Sequence, residues 1–278
     1  MRALAAAALV AAPVAVGILY AAAASIGLVG AGASGASPER LLRVLADRVT
    51  WAGLGFTLRV AAMSTALATV GAVGVAIIFR SNAPLDRAAR ALAALPLPVP
   101  HLVAGMLGVW VLGQSGLLAR LAVGAGLIDG PSQMPALIYD ELGLGLALTM
   151  AWKEMAFLSI VATALLATQA ATVEETSRTL GAGPWDTFRR VTWPLLWRGL
   201  LPAVTAVFVF VAGSYEAAAL LAPSDPPALP LLVLERAADP DLARRGDAYV
   251  VSLLLLAIGV IAVLAHEGTR ARWEPLGE

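Results

Sequence analysis

Val173-Glu174-Glu175-Thr176-Ser177-Arg178-Thr179-Leu180-Gly181-Ala182-Gly183-Pro184 runs on into Trp185-Asp186-Thr187-Phe188-Arg189-Arg190-Val191-Thr192-Trp193-Pro194-Leu195-Leu196. On both sides of this stretch the chain is dominated by Ala, Leu, Val and Gly. Here alone charge, glycine and proline are concentrated, as in a surface built to meet another protein. Thr172 to Leu180 contains no Gly or Pro, and Glu174 and Glu175 fall near its start, where a helix dipole favours acids. Gly181 is placed as a left-handed C-terminal cap. Pro184 fits the first turn of a second helix, where its missing N–H costs nothing. Arg189 and Arg190 then fall near that helix's end, and Pro194 is expected to stop it before the next apolar run. The spacing predicts two short surface helices around a glycine bend.

The flanking composition sets the class. Of 278 residues, 59% are hydrophobic and only 14% charged, with mean hydropathy +0.82. A water-soluble domain needs more polar surface than that. Apolar runs near the roughly 20 residues that cross a bilayer recur along the chain. The expected fold is therefore an all-α membrane protein, a bundle of six transmembrane helices at about 3–29, 52–79, 91–119, 142–168, 199–222 and 247–266. Pro96, Pro98 and Pro100 are expected to break or kink the start of the third span, a simple kink near the membrane interface being the favoured reading. The first run reads as an uncleaved span; a cleaved signal peptide ending near Ala22–Ser25 is the alternative.

With no cysteine and two histidines, His101 and His266, far apart in sequence, thiolate, haem and metal chemistry have little to build on. No metal site is expected. The net charge of zero, with Arg spread over loops, gives no basic face for nucleic acid. With the N-terminus inside, ten Lys/Arg fall on the inner side and seven on the outer, leaving Arg59 and Lys153 within spans. That favours both termini on the cytoplasmic side. Four units follow: an N-terminal helix (1–30), an extracytoplasmic amphipathic connector (31–51), a core (52–267) containing the polar loop (172–196), and a cytoplasmic tail (268–278).

Charges inside spans are functional candidates by default, with buried charges satisfied by partners in the bundle as the equal alternative for Lys153 and Glu154. Lys153 and Glu154 sit near the middle of span four, about 100° apart on a helix, so each is expected to reach a different helix or a water-filled pathway. Arg59 and Glu216 lie at similar depth, and an Arg59–Glu216 ion pair is expected. The alternative puts Glu216 along the pathway, favouring a cation. His101, beside three prolines, reads as an interfacial side chain. Trp193 and Trp197 read as anchors of the loop's exit into lipid.

The loop resembles that of bacterial ABC-importer permeases of the binding-protein-dependent type. Their pattern is Glu-Ala-Ala, three residues, Gly, nine residues, then Ile-x-Leu-Pro. Glu175, Gly181 and Pro194 match at the family's spacing; Thr176 and Ser177 replace the alanines, Val191 the Ile and Trp193 the Leu. The resemblance extends to Thr57-Leu58 with Ser64 and Thr65 before Gly71 and Gly74, and to Leu95-Pro96-Leu97-Pro98-Val99-Pro100 before Gly105.

The resemblance implies that the loop, through Glu174, Glu175, Gly181, Ala182, Gly183, Val191 and Pro194, docks on a cytoplasmic ABC ATPase dimer. Closure of that dimer would switch the spans between two access states. It further implies a second permease chain, a paralogue more than a copy, an extracytoplasmic solute-binding protein and a bacterial cytoplasmic membrane. The sequence has no Gly-x-x-x-x-Gly-Lys-Ser/Thr phosphate loop, so ATP would be bound by the partner and no cofactor by this chain. The outer segment Pro223-Ser224-Asp225-Pro226-Pro227 resembles the branch handling polyamines, thiamine, ferric iron or oxyanions. Glu154 and Glu216 tilt that choice toward an organic cation. Two other classes stay open at this point: an ion-coupled carrier using Lys153, Glu154 and Glu216 as relays, and an intramembrane enzyme.

Overall fold

In lipid a backbone has no water to bond, so each crossing must close its hydrogen bonds internally, and a helix does so within one segment. The computed structural model describes residues 2–30, 32–33 and 35–273, and among them there is no strand. In chain order the helices are α1 (Arg2–Ser25), α2 (Glu39–Ala46), α3 (Arg48–Ile78), α4 (Pro84–Ala94), α5 (His101–Leu112) and α6 (Leu117–Gly124). Then come α7 (Leu144–Leu165), α8 (Ala171–Thr179), α9 (Pro184–Thr187), α10 (Trp193–Gly213), α11 (Glu216–Leu221), α12 (Leu229–Ala237), α13 (Leu242–Arg245) and α14 (Asp247–Trp273). Six stretches are long and apolar enough to cross a membrane: Ala8–Ser25, Arg48–Ile78, His101–Gly124, Leu144–Thr168, Pro184–Gly213 and Leu242–Ala271. The all-α polytopic fold expected from composition is the fold observed.

The core is the seam between α3 and α7. Ala61, Ala68, Ala72 and Ala76 line one face of α3 and meet Ala147, Met150, Leu158 and Ala162 of α7. Small residues bring the two backbones close, and packing and hydrogen bonds replace the hydrophobic effect that lipid does not supply. The same logic seats α5. A Cβ on Gly108 would stand 2.5 Å from Thr149 Oγ1, so only glycine lets α5 lie on α7. Thr57 Oγ1 accepts the Leu229 N–H at 2.9 Å, tying α12 to α3; interhelical bonds of this kind are worth about 0.6 kcal/mol on average.

The end of the bundle away from the polar loop is pinned by ions. Helix α2 forms within the expected amphipathic connector, but Arg40 on it is buried. Its guanidinium donates to the carbonyls of Ala24, Gly32 and Ala243 and lies 3.9 Å from Asp247 Oδ1. Arg43 reaches the same carboxylate at 2.7 Å. The hydrogen bond it donates to Asp247 holds the Arg43 guanidinium above its ordinary range, against the opposing effect of burial. Asp47 caps α3 by accepting Val49 N–H at 3.0 Å and also accepts Arg236 at 2.7 Å. Tyr20 packs edge-on to Tyr249 near this end, so α1 and α14 both run from here to the loop's side of the bundle. Of the expected tail, residues 268–273 continue α14. Residues 274–278 lie outside the described residues, as do Met1 of the first unit and residues 31 and 34 of the connector.

Two expected spans are broken. At the third, the prolines break the helix and do not merely kink it: α4 stops at Ala94, the chain turns through 95–100, and the crossing starts at His101. The fifth stops at Gly213 and restarts at Glu216 as α11. The second break removes the expected Arg59–Glu216 pair, because Glu216 now opens a separate helix and stands exposed. Arg59 instead donates to the carbonyls of Glu141 and Leu142, the latter at 3.2 Å.

Candidate functional site

The polar stretch forms a hairpin, but its arms are extensions of spans four and five. Helix α7 passes through a π-helical turn at Leu166–Ala170 directly into α8. The other arm begins at α9, passes through a second π turn at Phe188–Thr192 and becomes α10. Pro194 therefore does not stop a helix. It sits in the first turn of α10, and the Trp193 N–H bonds back to Phe188 O across the π turn. That wider turn is how a helix passes a residue with no N–H to give.

The bend between the arms matches the sequence expectation. Gly181 has φ +87°, where an L side chain is strained. Its N–H donates to Arg178 O at 2.9 Å and that of Ala182 to Ser177 O at 3.1 Å, the paired bonds of a Schellman cap. Gly183 is extended, and Pro184 opens α9 at its first position. Two side-chain contacts then join the arms, one between hydroxyls and one from a hydroxyl to a carboxylate. Ser177 Oγ lies 3.5 Å from Thr187 Oγ1, and Thr192 Oγ1 donates to Glu174 Oε1 at 2.5 Å. An aromatic run stiffens the second arm, with centroids 5.7 Å apart for Trp185–Phe188, 6.4 Å for Phe188–Trp193 and 5.7 Å for the stacked Trp193–Trp197.

The hairpin sorts the predicted site residues into two sets. Glu175, Gly181 and Gly183 are exposed around the bend, with Ala182 partly so. Leu180 and Trp185 stand 83% and 68% exposed there, a solvent-facing apolar pair that sequence reading did not single out. Val191 and Pro194 are half-buried at the base. Glu174 turns inward and is only 5% exposed, so it offers no charge to a partner. Its partner is Arg80, just past the end of α3, at 2.7 Å. The signal for that pairing was present: Arg80 ends span two on the loop's side, where span four's acids also emerge.

The proline-rich turn before α5 explains the buried charges of α7. Pro96, Pro98 and Pro100 have no N–H to donate, so carbonyls in this turn lose their helical partners. Lys153 Nζ donates to Leu97 O at 3.2 Å. Glu154 Oε1 lies 3.0 Å from His101 Nε2, and the His101 ring packs on Phe210 with centroids 4.7 Å apart. Lys153 and Glu154 thus do not serve different helices; both reach the same proline-rich segment at the start of α5. His101 is engaged as well. It joins spans three, four and five, and the missed clue was its position at the restart of a broken helix.

The chain's relatives carry the same architecture. A family model described as binding-protein-dependent transport system inner membrane component matches residues 68–267. Over 226 residues the chain is 31% identical to the molybdenum transport system permease protein ModB of Mycobacterium tuberculosis (strain H37Rv), covering 80% of this chain and 78% of that protein. It is 25% identical to the probable sulfate transport system permease protein cysT of Marchantia polymorpha, over 67% of this chain and 62% of that one. In fold it is similar to a bacterial alginate ABC transporter solved with an alginate pentasaccharide-bound periplasmic protein. That match has TM-score 0.75 at 15% identity, over 95% of this chain and 89% of that one. The inward-facing MetNI methionine ABC transporter matches with TM-score 0.57 at 19% identity, over 84% of this chain and 98% of that one. The ion-coupled carrier reading is set aside, and the chain serves as a permease subunit of an ABC importer. It belongs to the binding-protein-dependent transport system inner membrane component family.

Proposed function

We propose that this permease carries a tetrahedral oxyanion of the molybdate or sulfate kind, in place of the organic cation its acidic residues suggested. The observation that carries this reading is the 31% identity to a molybdenum transport permease over four-fifths of the chain. The local chemistry agrees. Glu154 is engaged by His101 and so is not free to neutralise a cation. The polyamine, thiamine and ferric-iron branch has no comparable support.

In this reading the exposed bend is the docking surface for the ATPase. Glu175 supplies charge, Leu180 and Trp185 apolar area, and Gly181, Ala182 and Gly183 a contour without bulk. Val191 and Pro194 shape the base. The loop side is the cytoplasmic side, which places both termini there in line with the Arg bias. A second permease chain, more readily a paralogue than a copy, completes the translocation pathway, and an extracytoplasmic binding protein delivers the cargo.

The test is co-purification of the ATPase with the wild-type permease, Gly181→Asp and Glu175→Lys, joined to ATP-dependent molybdate uptake in vesicles. Both variants are expected to lose ATPase and uptake together. Retention of both functions in both variants would overturn the docking role. Uptake inhibited by excess spermidine but not by sulfate would overturn the oxyanion.

A further inference from the structure

Glu174 immediately precedes the first residue of the loop motif, Glu175, yet its carboxylate is spent inside the protein. Both oxygens are engaged: Oε2 takes Arg80 Nη1 at 2.7 Å, and Oε1 takes Arg80 at 3.0 Å and the Thr192 hydroxyl at 2.5 Å. A buried carboxylate left without partners is strongly unfavourable, so this arrangement is held firmly. Each of the three residues belongs to a different element. Arg80 follows α3, Glu174 is on α8, and Thr192 closes the second π turn. Arg90 of α4 donates to the carbonyls of Phe79 and Ser81, the latter at 2.9 Å, and so binds α4 to the same corner.

The position of this knot matters as much as its contacts. The loop joins the membrane through two π turns, 166–170 and 188–192. Such turns leave a helix locally less regular and are common at functional sites. A push delivered at the bend could be absorbed there as local flexing. Glu174 lies just beyond the first π turn and Thr192 within the second, and Arg80 splints both to α3. Since α3 forms the central seam with α7, whatever moves α3 moves the core.

We propose that Arg80 is a positioning residue for transport: through Glu174 and Thr192 it makes the docking loop, the foot of span five and span two move as one body. Displacement of the loop then reaches the core instead of being lost at the π turns. This inference rests on the loop being the ATPase-docking element, and its failure is separable from that reading.

The chain has no cysteine, so a pair introduced as Arg178→Cys on α8 and Val70→Cys on α3 can be spin-labelled in the purified permease with no background from this chain, before assembly with its partners. In the complete transporter, the distance between the labels is expected to be the same without nucleotide and with ATP and vanadate. In Arg80→Gln the distance is expected to shift or broaden between those states, while the ATPase still co-purifies. The same variant is expected to hydrolyse roughly tenfold more ATP per molybdate taken up, the scale of an ordinary coupling free energy. An Arg80→Gln variant with unchanged label distances and an unchanged ATP-to-molybdate ratio would overturn the proposal. Should Arg80→Gln lose the ATPase outright, the exchange Arg80→Glu with Glu174→Arg decides. Recovery of ATPase retention and coupling supports the splint, and continued loss assigns Arg80 to folding alone. A parent transporter that retains no ATPase would instead sink the docking reading itself.

Discussion

The two ends of the bundle are tied in different ways. Away from the loop, Asp247 receives two arginines, Arg40 also binds carbonyls from three segments, and Asp47 both caps α3 and pairs with Arg236. These contacts fasten α1, α2, α12, α13 and α14 to one another with no irregular helix between them. At the loop's end a single buried carboxylate, Glu174, sits between two π turns. One end is a fixed frame and the other a jointed arm with a splint. An importer must change shape as its ATPase closes, and the end with fewer buried ties is the one built to transmit that change.

The largest expected effect breaks the frame. Asp247→Ala leaves Arg40, 8% exposed at its side chain, buried without its carboxylate, and frees Arg43 as well. Removing one partner of a buried pair costs about 3 kcal/mol or more. The melting transition of purified permease in detergent should fall well below that of the wild type. A melting point within error of the wild type would show that the frame is not what holds this end, and the contrast between the ends would collapse.

A smaller and more local effect is expected at the bend. Gly181→Ala forces a Cβ onto a residue at φ +87°, with no neighbour within 4 Å to clash. The cost is therefore backbone strain, about 1 kcal/mol. Because the hairpin arms are jointed to the spans, that cost should appear as faster amide exchange in residues 175–183 with no change in the global melting transition. An equal loss of protection in α3 and α7 would mean that the loop is part of the global folding unit, against the picture of a jointed arm.

The cap at Gly181 and the restart at Pro184 were legible because each depends on local backbone rules. Six apolar crossings were legible because length and hydropathy fix them. What escaped sequence reading needed partners far along the chain. The run Pro96 to Pro100 announced a break or a kink, but the contacts that hold it, from Lys153 and Glu154 across the bundle, have no local signature. Their burial left a transport role and a structural one equally open because the carbonyl of Leu97 and the ring of His101 cannot be seen from α7 alone. Pro194 was read as a stop because a π turn, which lets a helix pass a proline, has no sequence signature. Arg59 and Glu216 were paired on equal depth, an inference that requires an unbroken fifth span, and Gly213-Ser214 breaks it.

The smallest effect is expected from the ion pair that looks most like a loop staple. Asp186 and Arg190 are i,i+4 on the second arm, 3.4 Å apart, with side chains 55% and 79% exposed. Water and salt screen such a pair, and it contributes about 0.5 kcal/mol or less. Asp186→Ala should leave the melting transition and loop exchange within error of the wild type, in contrast to Gly181→Ala one turn of chain away. Any drop in ATPase retention in this variant would then report a contact made by Asp186 to the partner, since the hairpin itself does not need it. A loss of loop protection equal to that of Gly181→Ala would instead show that exposed charges carry the arm's shape. That result would move the mechanical weight of this end from the buried Glu174 knot to its surface.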